Sequence, residues 1–256
     1  MTDAIDNAII SKYLIRFLLI LLRSSIVFMM LPAFSSKNVP AQYKIGLAIA
    51  TAILLTPIVE AKVEENQVFY LIVKEVVFAM VIGMGGRLVF LAVNMAGQLM
   101  SNTMAMTMAT LIDPEFGQSA ELSRLLGIFA TVVFFAIDAH HDLLWLLVKS
   151  YEIVPFGKIN LDGLMLKGME ILQKAFIFAI KISIPVVVGM IVTHLMLGFV
   201  YKASPSLNIF FVSYPVFITL GFIIMMVSVP EFLTLLTQMF KEMSGEIQNL
   251  LSIARQ

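Results

Sequence analysis

Apolar residues gather into blocks of helical length, roughly 14–34, 45–59, 68–112, 122–148, 175–200 and 207–237, separated by short polar connectors. A run of about 20 apolar residues suffices to cross a bilayer as a helix. The pattern therefore predicts an all-α, membrane-associated protein. Few of the blocks read as clean single spans. Arg16 and Arg23 fall in the first and Lys74, Glu75 and Arg87 in the third, while Asp138, His140, His141 and Asp142 interrupt the fourth. Lys181 and Pro185 lie inside the fifth, and Pro215, Pro230 and Glu231 cut the sixth. A charge at bilayer depth costs about 2.5–3.5 kcal/mol on insertion scales and normally faces protein or a water-filled cavity. A proline removes a helix hydrogen bond and invites a kink. The expected architecture is a set of kinked or broken helices and helical hairpins, covered largely by other protein. Such a chain is built to be a subunit.

The longest connector, residues 150–163, carries Pro155, Phe156, Gly157 and Asn160 and divides the chain into residues 1–160 and 161–256. No repeat of fixed period is visible, nor the inverted repeats typical of carriers. Lys149, Lys158, Lys167 and Lys174 flank that connector, and this excess of cations places it, with both termini, on the cytoplasmic side. The first apolar run shows no small-residue cleavage site and is read as retained. From Glu231 onward, Phe232, Leu235, Leu236, Met239, Met243, Ile247, Leu250 and Leu251 recur at three-and-four spacing opposite Lys241, Glu242, Glu246, Gln248 and Asn249. That is an amphipathic helix, opened by Pro230. Its polar face has one Lys against two Glu, whereas membrane-surface helices favour cations there, so a partner-facing helix is expected.

Residues 94–112 stand apart. They contain no charge, no aromatic and no proline, and hold Met95, Met100, Met104, Met106 and Met108 among Ala96, Gly97, Ser101, Thr103, Ala105, Thr107, Ala109 and Thr110. Small residues let helices approach closely, and methionine is unbranched and adapts to irregular surroundings. Two readings stay open from these residues alone: an ordinary helix–helix contact, or a deformable seal inside an assembly.

Composition narrows the class. Across 256 residues, 60% are hydrophobic and 13% charged, with mean hydropathy +0.96. A soluble domain carries about twice that charged fraction. The formal net charge of zero implies no nucleic-acid partner, and the absence of cysteine excludes disulfides, thiolate metal sites and cysteine nucleophiles.

Candidate chemistry is sparse. His140 and His141 with Asp138 and Asp142 suggest either a metal or proton-relay site or a polar interfacial turn. Adjacent histidines project about 100° apart on a helix and do not share an ion as an i, i+4 pair does, which favours the turn. The glycines Gly83, Gly85 and Gly86 lie inside an apolar helix without the lysine of a phosphate-binding loop; close backbone packing is the expectation. Lys74 and Glu75 are either an ion site or a structural pair to other subunits, and no second acidic group one or two turns away supports the former. No triad or paired-carboxylate arrangement is present, so no enzyme, cofactor or resident metal is expected.

The order of several small motifs resembles the flagellar biosynthetic protein FliR family and its SctT counterparts in virulence secretion systems. The residues are Arg23, Pro32, Pro40, Lys44, Glu75, Gly83, Ala96, Gly97, Asp113, Pro114, His140, His141, Ser150, Pro155, Gly157, Pro185 and the run from Gly198 through Tyr201, Lys202 and Pro205 to Asn208. Family members usually carry arginine where Lys44 and Lys202 stand, and Gly-His in place of Ala139 and His140. Bidentate arginine contacts at those two lysines are therefore not carried over.

The resemblance implies a single subunit of the type III export gate, at the base of the flagellar basal body in the bacterial inner membrane. It implies assembly with FliP and FliQ into a pore for unfolded flagellar proteins, with FlhB and FlhA nearby. Residues 1–160 would be FliP-like and 161–256 a FliQ-like hairpin. The family's pore plug would fall at about residues 104–117. Met100, Met104, Met106, Met108, Ile112, Asp113, Pro114, Phe116 and Gly117 are the candidate seal, and Arg23, Lys44, Lys74, Glu75, Arg87 and Lys202 the candidate subunit-contact or structural residues. A secondary transporter with a solute site near Lys74, Glu75 and Arg87 is the alternative.

Overall fold

The computed structural model describes residues 2–31, 40–59, 68–106, 121–156, 159–204 and 209–254. Among them every regular element is a helix: α1 Thr2–Met30, α2 Ala41–Leu55, α3 Val68–Thr103, α4 Glu121–Ala136, α5 Ala139–Ile153, α6 Leu161–Ala203 and α7 Ile209–Ala254. Among the described residues, four segments are long and apolar enough to cross a membrane: Tyr13–Met30, Val68–Thr103, Gly163–Ala203 and Phe211–Ala254. The pair Glu121–Ala136 and Ala139–Ile153 adds a fifth if it crosses as one broken span.

Two expectations about helix ends are corrected. The prolines do not cut the sixth block: Pro215 and Pro230 lie inside one continuous helix of 46 residues, and Pro185 inside one of 43. Each proline removes a single backbone bond, and within a long apolar helix the flanking turns keep the rest. The connector at 150–163 is shorter than the sequence suggests, because α5 runs to Ile153 and α6 starts at Leu161. Asn160 caps α6, its side-chain oxygen accepting from the Gly163 N–H at 3.3 Å, the third helical position. The break between α4 and α5 falls where the polar group predicts it, at Asp138, which adopts a left-handed backbone (φ 56°).

The chain divides into two compact units, both discontinuous in sequence. Unit 1 comprises Met1–Leu88, Asp138–Leu172 and Phe240–Gln256; unit 2 comprises Val89–Ile137 and Gln173–Met239. In unit 1, α1 packs on α2, and the glycines of α3 admit close neighbours. A Cβ at Gly83 would lie 2.9 Å from that of Met30, one at Gly86 2.8 Å from Leu31, and one at Gly85 3.1 Å from Ile247. The glycine stripe is thus a packing surface, as expected. The partner-facing expectation for the end of α7 is corrected: Met243, Ile247, Leu250 and Leu251 are buried within the chain, because Ile247 finds its place over Gly85.

In unit 2, α3 and α4 meet at Gly97, where a Cβ would come within 2.5 Å of Ser123 Cα. Ser123 Oγ donates to the Asn94 carbonyl at 3.1 Å, and Phe90 meets Phe134 edge-on at 5.7 Å. Ile224 occupies the notch at Gly189, and Met104 the notch at Gly221. An apolar cleft lined by Met100, Leu126, Ile182, Val186, Met225 and Phe232 remains in this unit.

Candidate functional sites

Arg23, on α1 in unit 1, is the largest fully buried side chain among the described residues. Its Nε donates to Glu75 Oε2 at 2.8 Å and its Nη2 to Oε1 at 2.9 Å, a two-pronged pair with both side chains 0% exposed. Nη1 donates to Ser150 Oγ at 3.2 Å and Nη2 to the Val154 carbonyl at 3.4 Å. The guanidinium lies 4.7, 4.4 and 5.0 Å from the ring centres of Phe78, Tyr151 and Phe156. Planar guanidinium suits both uses, forked bonding to a carboxylate and stacking on aromatic faces. Tyr151 donates its phenol proton to the Ile20 carbonyl at 3.2 Å and stands 3.0 Å from Ser24 Oγ. One buried cation therefore ties α1, α3, α5 and the segment after α5 together.

That geometry bears on the candidate residues. Glu75 has both oxygens committed to Arg23 and presents nothing to a solute or to the surface. Lys74 is half-buried over the Tyr70 ring at 4.6 Å, and Arg87 is exposed. Lys74, Glu75 and Arg87 are not brought into one site. Lys44 is half-buried, while Lys202 is exposed in the last turn of α6, where a cation suits the helix dipole. Three further mid-helix cations lie over an aromatic ring about one turn back. Arg16 covers Tyr13, Lys149 covers Trp145 and Lys181 covers Phe178. In each, the charged group itself faces the ring, a cation–π contact.

Asp138, His140 and His141 converge more than adjacency suggests. Their donor atoms lie within 4.8 Å of one another, and the imidazoles are 4.1 Å apart. The two rings lean together on the first turn after the left-handed Asp138, which overrides the 100° offset. Asp138 and His141 are exposed, with Nδ1 of His141 3.6 Å from the carboxylate. This is a polar turn with three potential donors.

The methionine-rich stretch begins as a helix contact in unit 2. Ala96, Met100, Ser101 and Met104 are buried, whereas Asn94, Gln98, Leu99 and Asn102 are exposed. The helix then closes with a defined reversal. The Ala105 N–H donates to the Asn102 carbonyl at 3.2 Å and the Met106 N–H to that of Ser101 at 3.1 Å. This is the Schellman pattern, with Ala105 at the left-handed position (φ 57°). Of the candidate seal, Met100, Met104 and Met106 are described; Met108, Ile112, Asp113, Pro114, Phe116 and Gly117 lie outside the described residues.

A family model for bacterial export proteins, family 1, matches residues 14–243, nearly the whole chain. The chain belongs to this family. Among its relatives are proteins named flagellar biosynthetic protein FliR. The one from Bacillus subtilis is 27% identical over 249 residues, covering 93% of this chain and 95% of that protein. The one from Escherichia coli is 25% identical, covering 86% and 87%. The one from Caulobacter vibrioides is 24% identical, covering 88% and 92%.

For this export-family chain, the residues that the sequence pointed to as structural are partly internal. Arg23 and Glu75 form one buried node, and Ser150 from the motif list joins them. Tyr151, Phe78 and Phe156 were not singled out as part of it. Nothing local marks an aromatic as a cation's wall; only the three-dimensional approach of four segments does. Gly221 also escaped notice, as a lone glycine in an apolar run.

Proposed function

We propose that this chain is a non-enzymatic subunit of the flagellar type III export gate. It assembles with FliP and FliQ into a pore for unfolded flagellar proteins, next to FlhB and FlhA, in the bacterial inner membrane at the base of the basal body. Residues 104–117 supply a seal in that pore, with Met100 at its root, and residues 1–160 and 161–256 correspond to FliP-like and FliQ-like parts. The observation that carries the reading is the near end-to-end match to proteins named FliR, 95% of the Bacillus protein's length being covered. Membrane-length helices and the absence of a gathered solute site at Lys74, Glu75 and Arg87 agree with it. Methionine adapts to varied surroundings, which suits a seal that opens for unlike polypeptides and closes against ions.

Purification of a tagged copy from its native membrane in mild detergent tests the assembly. One copy with several FliP and FliQ chains is the expected composition; a reproducible monomer or homodimer refutes it. Deleting residues 107–117 tests the seal. The complex should assemble and leak ions across a reconstituted bilayer, and wild-type conductance with full assembly rejects the seal. Lys202→Glu, at an exposed cation, should lower the yield of complex.

A further inference from the structure

We infer that Gly221 and Met104 form a latch that holds the root of the seal against a strained backbone turn. This rests on the seal reading above. Met104 is the last residue before the left-handed reversal and is 0% exposed. It lies lengthwise across Gly221 of α7 in the same unit: a Cβ added there would sit 2.5 Å from its Cγ, 2.6 Å from its Cε and 2.8 Å from its Sδ. Three consecutive side-chain atoms within such distances mean that the whole thioether occupies the space a side chain on α7 would need. An unbranched side chain lies flat in a glycine notch, whereas a β-branched one does not.

The opposing element is Ala105. A left-handed backbone costs a residue with a Cβ energy that glycine does not spend, and glycine is the usual occupant of this position in the motif. Here alanine stands at φ 57°. The reversal persists because its hydrogen bonds and the seating of Met104 outweigh that cost. Strain and latch meet in adjacent residues at the entrance to residues 107–117. Gly221 is thus a positioning residue: it acts on the seal through Met104.

The test is ion leak through the intact complex, reconstituted in liposomes, for Gly221→Ala, Met104→Ala, the pair combined, and Ala105→Gly, beside the deletion of 107–117. Gly221→Ala expels Met104 and Met104→Ala removes the peg, so each should raise leak about tenfold, the factor that corresponds to about 1.4 kcal/mol. The combined variant should leak no more than either alone, because both cut one contact. Ala105→Gly relieves the strain and should lower leak below wild type. If Gly221→Ala fails to assemble, Met104→Ala, which introduces no overlap, carries the test. Leak at wild-type level in the assembled single variants while the deletion leaks refutes the latch alone. Additive leak in the combined variant refutes it too. A deletion that does not leak removes the seal, and the latch with it.

Discussion

Both units pack through glycine notches, but unit 1 adds a buried ion pair. Unit 1 is pinned by charge and direction: Arg23 places four N–H bonds on Glu75, Ser150 and the Val154 carbonyl, inside three aromatic walls. Unit 2 is pinned by shape, with Ser123, Ile224 and Met104 fitted into notches at Gly97, Gly189 and Gly221. A buried ion pair has one good geometry, since any slip leaves a charge unpaired in a medium that cannot solvate it. Apolar packing has many neighbouring geometries of similar energy, above all where methionine supplies the bulk. A rigid frame and a repackable region therefore share one chain, and the candidate seal grows from the repackable one.

The comparison breaks most visibly at the ion pair. Arg23→Met leaves Glu75 buried and uncompensated, and should cost about 3–5 kcal/mol, read as a lower melting temperature of the detergent-purified complex. Glu75→Leu alone should cost as much. The double variant Arg23→Met, Glu75→Leu should recover a large part of the loss, because no unpaired charge remains. Failure of the double variant to recover would mean that the hydrogen bonds to Ser150 and Val154, or the aromatic cage, matter more than charge compensation.

The glycine notches should rank next and differ among themselves. Gly97→Ala drives a methyl into the Ser123 backbone, which cannot swing aside, and should cost about 1–3 kcal/mol. Gly221→Ala meets only a flexible side chain and should cost less stability than Gly97→Ala while affecting leak more. The reverse order, from thermal unfolding and leak measured on the same preparations, would show that the notches are equivalent packing sites.

Tyr151→Phe keeps the ring beside Arg23 and removes the bond to the Ile20 carbonyl, for an expected loss of about 0.5–1.5 kcal/mol. A larger loss would make the phenol part of the polar node rather than an ornament on it. The smallest effect should come from the exposed arm of the Lys167 bridge, Glu170 at 2.7 Å, since the other partner, Glu246 at 3.0 Å, is only 15% exposed. Glu170→Gln should cost about 1 kcal/mol or less, and raised salt should shrink even that.

Much of this was legible before any coordinates. The apolar blocks announced long helices, the polar cluster at Asp138 marked the break between α4 and α5, and the glycines at 83, 85 and 86 marked a packing stripe. Those signals are local, written in one stretch of chain. The prolines misled because one missing hydrogen bond is a local cost, whereas the continuity of a 46-residue helix is decided by all its remaining bonds. The end of α7 misled in another way: its amphipathic pattern was right, but a pattern states that a face is covered and not by what.

The class of the molecule could be read from the chain alone, because hydrophobicity, helix length and motif order are properties of a string. The chain also carried the family, through motifs spread from Arg23 to Asn208. That Glu75 belongs to Arg23, 52 residues away, and that Gly221 receives Met104 emerged only from the packing of the folded helices. Both pairings join residues with no shared local signal. Their partners are chosen by where the helices cross, and burial makes a wrong choice costly.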